Sequence, residues 1–214
     1  MKIIKTSENQ RIQLCKRLIA AIFICSLIVC QVNAEDLADA VTSGKVGVRL
    51  LGTGGSSGDS VRITVSRTGA SGEDLNLSVT PGTRLQSSDS SAQSMVIARV
   101  RGRVVDAIHF APTDTIEVTA TPATYILEAY CADFEKNNPS NSTRFSVRRV
   151  DPVLQRILEE TSGLSIPAKQ AAVWIYTDHV TYSHVNEKFR VSRSEWEAAL
   201  AAVKRVVQSQ GNHF

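Results

Sequence analysis

The stretch Val46-Gly47-Val48-Arg49-Leu50 alternates large apolar residues with small or charged ones, and Val61-Arg62-Ile63-Thr64-Val65 repeats the alternation. Between the two lies Gly52-Thr53-Gly54-Gly55-Ser56-Ser57-Gly58. A period of two puts one apolar and one polar face on each run, as in half-buried strands. The glycine-rich segment between them reads as a hairpin turn. Dinucleotide fingerprints place a third glycine at the sixth position and then open a helix. Here Ser57 holds that position and a strand follows, so the loop is no phosphate cradle.

The same period continues downstream. Leu75, Leu77 and Val79 alternate with Asn76 and Ser78, after the turn Gly69-Ala70-Ser71-Gly72 and before Pro81-Gly82. Further strands are expected over Met95–Val105, Thr115–Ala120 and Thr124–Cys131, with Phe145-Ser146-Val147 as a last one. Short strands, regular turns and no long helix between them indicate an antiparallel sandwich or barrel.

Beyond residue 150 the period becomes helical. Asp151-Pro152 is an N-cap followed by Pro at the first helical position, and Leu154, Ile157 and Leu158 make an apolar stripe that ends near Gly163. Ser165-Ile166-Pro167 opens a second helix, Pro167-Ala168-Lys169-Gln170-Ala171-Ala172-Val173-Trp174-Ile175-Tyr176-Thr177-Asp178. Gln170, Trp174 and Asp178 fall on one face of it. Ser192-Arg193-Ser194-Glu195 is a capping box, followed by Trp196, Ala199, Leu200, Val203 and Val207 at helical spacing. The fold class expected is α+β: an antiparallel β-sandwich or barrel over residues 45–149, then a small C-terminal helical subdomain over 150–210. Residues 35–44 read as a polar lead-in.

The N-terminus has the three parts of a secretion signal. A basic region ends at Lys16-Arg17, an apolar run spans Leu18 to Val29, and Val32-Asn33-Ala34 fits the small-x-small cleavage rule. Residues 1–34 are therefore expected to be removed, or, in the alternative, to be lipidated at Cys30. The apolar run is short of the roughly 20 residues a spanning helix needs, so the membrane is met only during export. Five of the 24 basic and one of the 21 acidic residues lie in this leader, which leaves 19 against 20. A near-neutral chain lacks the basic footprint of a nucleic-acid binder. The localisation expected is secreted, periplasmic or cell surface.

The chain has four cysteines, and only Cys131 lies beyond the leader. Thiols in exported proteins normally pair. Cys131 is then a buried inert thiol, half of an intermolecular disulfide, or a group with special chemistry. His179 and His184 are the only close histidine pair, and a spacing of five does not put both on one helical face, so neither a metal nor another cofactor is expected. Gly54-Gly55-Ser56-Ser57-Gly58 has the spacing of a Gly-x-Ser-x-Gly elbow, but a strand and not a helix follows it, which leaves secreted hydrolase as a weak alternative.

Tyr130-Cys131 closes a strand, and Gln170-Ala171-Ala172-Val173-Trp174 opens a helix. The pair resembles the thioester domains of bacterial surface adhesins, which combine an aromatic-Cys pair with a Gln-x-Ala-Val/Ile-Trp motif. The resemblance implies an internal thioester between Cys131 and Gln170, shielded by Trp174 and opened by an amine or hydroxyl on a target surface. The leading expectation is a non-enzymatic binding module of a bacterial envelope or surface, with a surface protein or glycan as ligand. Covalent attachment through Cys131–Gln170 is the alternative.

Overall fold

The computed structural model describes residues 34–69 and 74–211. The leader up to Asn33, and most of the turn around Ser71, lie outside them. Ten strands are described: β1 (Glu35–Asp36), β2 (Val46–Gly52), β3 (Ser57–Arg67), β4 (Leu75–Ser78), β5 (Thr83–Ser87), β6 (Met95–Val104), β7 (Phe110–Pro112), β8 (Ile116–Val118), β9 (Ala123–Cys131) and β10 (Arg144–Val150). Five helices are described: α1 (Leu37–Thr42), α2 (Pro152–Glu160), α3 (Ile166–Asp178), α4 (Tyr182–Lys188) and α5 (Arg193–Ser209).

Six strands close on themselves in the order β5-β10-β2-β3-β9-β6, and β6 pairs back to β5. All six contacts are antiparallel. The fold is thus α+β with a closed antiparallel barrel, and closure removes the open edges that a flat sheet would leave. β7 hangs on the outer edge of β6, and β1, β4 and β8 form a second, three-stranded sheet. The hairpin of the opening stretch is present, with Val48 opposite Val65 and Leu50 opposite Ile63.

Residues 35–44 are not a loose lead-in. Asp36 caps α1 by accepting from the Ala38 N–H at 2.8 Å, and Leu37 and Ala40 are fully buried. The short apolar set Leu37-Ala38-Ala40-Val41 is enough to dock one turn and a half against β2, β4 and β10. β5 and β7 are strands that periodicity does not announce: Leu85 is the single large apolar residue of β5.

β9 departs from simple alternation. Only Thr124 in it is partly exposed, and every other residue is buried. Tyr125, Leu127, Ala129 and Cys131 join the main core enclosed by the barrel. Tyr130 on the other face joins Val96, Ala132, Leu154, Leu158 and Val173 in a second cluster under α2 and α3. α3 is buried from Ala168 to Ile175 on all sides, because it lies between β9, β3, α2 and α5.

The expected helix starts are realised. The Asp151 carboxylate accepts from the N–H groups of Val153 and Leu154 at 3.0 and 3.1 Å. Ser192 and Glu195 form the reciprocal capping box of α5, and Trp196, Ala199, Val203 and Val207 are buried.

Candidate functional site

Cys131 is the last residue of β9, at the point where its partner β3 runs out. The final pair of the β3–β9 ladder is Ser57 with Tyr130. The Cys131 N–H reaches the Ser56 carbonyl at 3.1 Å, but the Cys131 carbonyl has no neighbouring strand on that side. Gln170 supplies the missing partner. Its Oε1 accepts from the Cys131 N–H at 3.0 Å and its Nε2 donates to the Cys131 carbonyl at 2.8 Å. The planar side-chain amide thus stands in for the C=O and N–H that one residue of a further strand would present. A Gln in a buried helix is explained by this: both of its polar atoms are used, and a buried amide is tolerable only when it is.

The structure therefore brings Cys131 and Gln170 together across 39 residues of chain. The contacts run through the Cys131 backbone. The thiol is buried among core residues. Burial, with the Asp133 carboxylate nearby, pushes the Cys131 thiol far above its usual range. A thiol held protonated is a poor nucleophile.

One residue earlier on α3, Lys169 points into a buried charge cluster. Its Nζ lies 3.0 Å from Glu128 Oε1, and both side chains are more than nine-tenths buried. The Tyr130 hydroxyl donates to the same Oε1 at 2.6 Å, and Arg99 Nε donates to Oε2 at 2.7 Å. Burial raises the Glu128 carboxyl, but the three donors outweigh it and hold the group at about 2. Burial, reinforced by Glu128, pushes the Tyr130 phenol up, so it stays a donor. Lys169 and Gln170, adjacent in sequence, thus fix α3 to β9 at two points.

One turn beyond Gln170, Trp174 stands between two rings. Phe134 meets it edge-on with centroids 5.0 Å apart, and Phe189 does the same at 5.4 Å. These rings border a cleft of about 350 Å³ whose lining also includes Gln93, Asn138 and Lys188. Lys188 Nζ sits 4.6 Å from the Phe134 ring centroid and 2.9 Å from Glu135 Oε2. That volume is within the range of small-ligand sites.

Trp174 thus borders the cleft, one turn from Gln170. His184 pairs with Glu135 at 3.1 Å and packs on Phe134 at 4.7 Å, while His179 takes the left-handed φ of 52° that ends α3. Among the described residues no group of three His, Cys, Asp or Glu side chains is placed to hold a metal ion. Sequence reasoning missed Gln93, Phe134, Lys188 and Phe189. They lie in loops or at helix ends, where no period marks them. Glu128 did carry a signal, as the one charge inside the apolar run Ile126-Leu127-Glu128-Ala129-Tyr130.

No family model matches the chain, and no curated protein or solved structure matches it either. The likeness to thioester domains rests on Tyr130-Cys131 and Gln170-Ala171-Ala172-Val173-Trp174 alone.

Proposed function

We propose that this protein is an exported, non-enzymatic binding module of a bacterial envelope or surface, and that it takes its ligand in the Trp174 cleft. The leader motif over residues 1–34 supports export. The cleft carries the binding reading: aromatic rings beside exposed polar side chains, on a helix tied to the barrel at Lys169 and Gln170. The raised thiol of Cys131 favours non-covalent binding over thioester chemistry. In this reading the four helices from Pro152 to Ser209 act as one C-terminal helical subdomain, held together by the packing of α3 and α2 on α5.

The test uses the mature chain beginning at Glu35 and isolated envelopes of the source bacterium. The chain should sediment with the envelopes. The rim double variant Glu135→Ala, Lys188→Ala should lose at least tenfold in affinity, while its denaturation midpoint hardly moves, because both side chains are exposed and their ion pair is a surface one. Equal retention of the variant, or no retention of the parent, removes the reading.

The covalent alternative draws on one observation, the contact of the Gln170 amide with both the N–H and the C=O of Cys131. In that chemistry the Cys131 thiolate adds to the Gln170 amide carbon. The C–N bond then breaks, and ammonia leaves with the thiol proton. The intact mass of the mature chain would lie about 17 Da below the calculated value, the mass of the ammonia lost when the acyl group passes to sulfur. Methylamine would then restore a free thiol and add itself at Gln170. An unshifted mass ends this alternative.

A further inference from the structure

Two buried polar atoms on residues of the cleft lining have no hydrogen-bond partner: Trp174 Nε1 and Gln93 Oε1. Trp174 is 3% exposed and Gln93 is 2% exposed. Native structures leave few such groups, and each asks for a reason. The two are of opposite sense. An indole N–H can only donate, and an amide oxygen can only accept. The Gln93 amide is oriented by its own Nε2, which donates to Asn138 Oδ1 at 3.2 Å, so its oxygen is the free end.

We propose that the cleft recognises the N-acyl amide of an amino sugar. This rests on the reading of the cleft as the binding site. The ligand's C=O accepts from Trp174 Nε1–H, and its N–H donates to Gln93 Oε1. A secondary amide is the common group that offers one acceptor and one donor in a single plane. The acyl methyl and the apolar face of the ring pack on Phe134 and Phe189. The sugar hydroxyls meet Asn138, Glu135 and Lys188 at the rim. Both atoms are buried, so in this proposal the rim side chains rotate to admit the ligand. Glu135 and Lys188 are long and exposed, at 69% and 47%, and their ion pair is a surface one.

A peptide amide is disfavoured by the backbone around the cleft. Extended peptides bind by adding to an open strand edge. Here the Gln93 N–H already donates to the Asn137 carbonyl at 2.9 Å, the Asn137 N–H to Ser91 at 3.0 Å, and the Phe134 N–H to Asp178 Oδ1 at 3.0 Å. The polar side chains of the lining suit a polyhydroxylated ring.

The experiment titrates the mature chain with N-acetyl-D-glucosamine and follows the two indole N–H resonances by nitrogen–proton correlation NMR. Trp174→Phe assigns them. The Trp174 resonance should shift downfield as it acquires an acceptor, and that of Trp196, buried in α5, should stay. Gln93→Leu should weaken the titration at least tenfold with the Trp196 resonance unmoved. D-Glucosamine and D-glucose, which lack the acyl amide, should fail to shift Trp174. If they shift it equally, the amide is not what is recognised, although the cleft still binds sugars. If only N-acetylglycine N-methylamide acts, the ligand is a peptide and the amino-sugar assignment falls. If no probe moves Trp174 while envelopes retain the chain, the inference fails and the binding-module reading survives. If envelopes do not retain it, that reading fails first.

Discussion

Replacing Gln170 by Leu tests whether one side-chain amide completes the end of β9. The substitution keeps most of the side-chain volume and removes both polar atoms. The Cys131 N–H would keep the Ser56 carbonyl at 3.1 Å, so only the Cys131 carbonyl loses the partner seen at 2.8 Å. A buried acceptor left without a donor costs about 1–3 kcal/mol. The second, bifurcated bond adds little, since its donor stays paired. A loss near 2 kcal/mol is therefore expected. With an m-value of about 2 kcal/mol per molar urea, the midpoint should fall by about 1 M at unchanged slope.

Two companions sharpen the test. Gln170→Ala should cost more than Gln170→Leu, because it adds a cavity worth about 2–5 kcal/mol in a rigid core. Gln170→Glu places an acceptor-only carboxylate against the Cys131 carbonyl at neutral pH, and only its protonated form can donate there. The folded-state pKa of that Glu is raised, so its variant should gain stability relative to the parent as pH falls. Urea melts followed by far-ultraviolet circular dichroism between pH 4 and 8 read all three. A Leu variant as stable as the parent, with Ala equally mild, would mean that the amide is not what joins α3 to the barrel.

Three further outcomes follow from the same structure. Ser192→Ala should cost about 1 kcal/mol through loss of the cap that Glu195 completes, and Trp196→Ala about 3–5 kcal/mol through its buried face; equal, negligible midpoint shifts would mean that α5 does not dock. Because the Glu128 carboxyl is held at about 2 against an ordinary 4.5, its contribution is fully present above pH 4.5 and fades as pH falls towards 2. Glu128→Gln should thus flatten the acid limb of the stability profile by up to about 3 kcal/mol, at the price of a weaker protein at pH 7, and a limb of unchanged steepness would refute the assignment. Gly82→Ala should be strongly destabilising, since φ is +86° and a Cβ would stand 2.6 Å from the Gln155 nitrogen at the start of α2; a neutral substitution would show that the turn can move.

Much of the architecture could be read from local chemistry. The β2–β3 hairpin, the caps at Asp151 and Ser192 and the buried stripes of α2 and α5 follow from spacing alone. β5 did not, because Thr83, Arg84, Gln86 and Ser87 surround a single Leu85 and the strand exists only by pairing with β6 and β10. Closure of the barrel is likewise a non-local fact, carried by the β5–β6 pairing. The site was half legible. Gln170 stood out as a polar residue in an apolar helix, and Cys131 as the lone thiol beyond the leader. That Gln170 meets the backbone of Cys131 depends on where β3 ends, which no period encodes. Gln93 and Phe189 are brought to Trp174 by tertiary packing, from loops about 80 residues before it and 15 after it along the numbering.

If the Trp174 cleft binds as proposed, the placement of these residues on α3 links stability to recognition. Lys169 ties the helix to the outer face of β9 through Glu128, and Gln170 ties it to the strand end through Cys131. Two anchors on neighbouring residues fix both the height and the rotation of the helix. Trp174, one turn on, is thereby aimed before any ligand arrives, with Phe134 and Phe189 edge-on to its ring. Its indole N–H is buried without a hydrogen-bond partner. A donor that is fixed and unpartnered loses little freedom when an acceptor reaches it, which is the advantage of a preorganised site. Under the proposed function, the buried Gln and the buried ion pair serve as the mounting of the cleft.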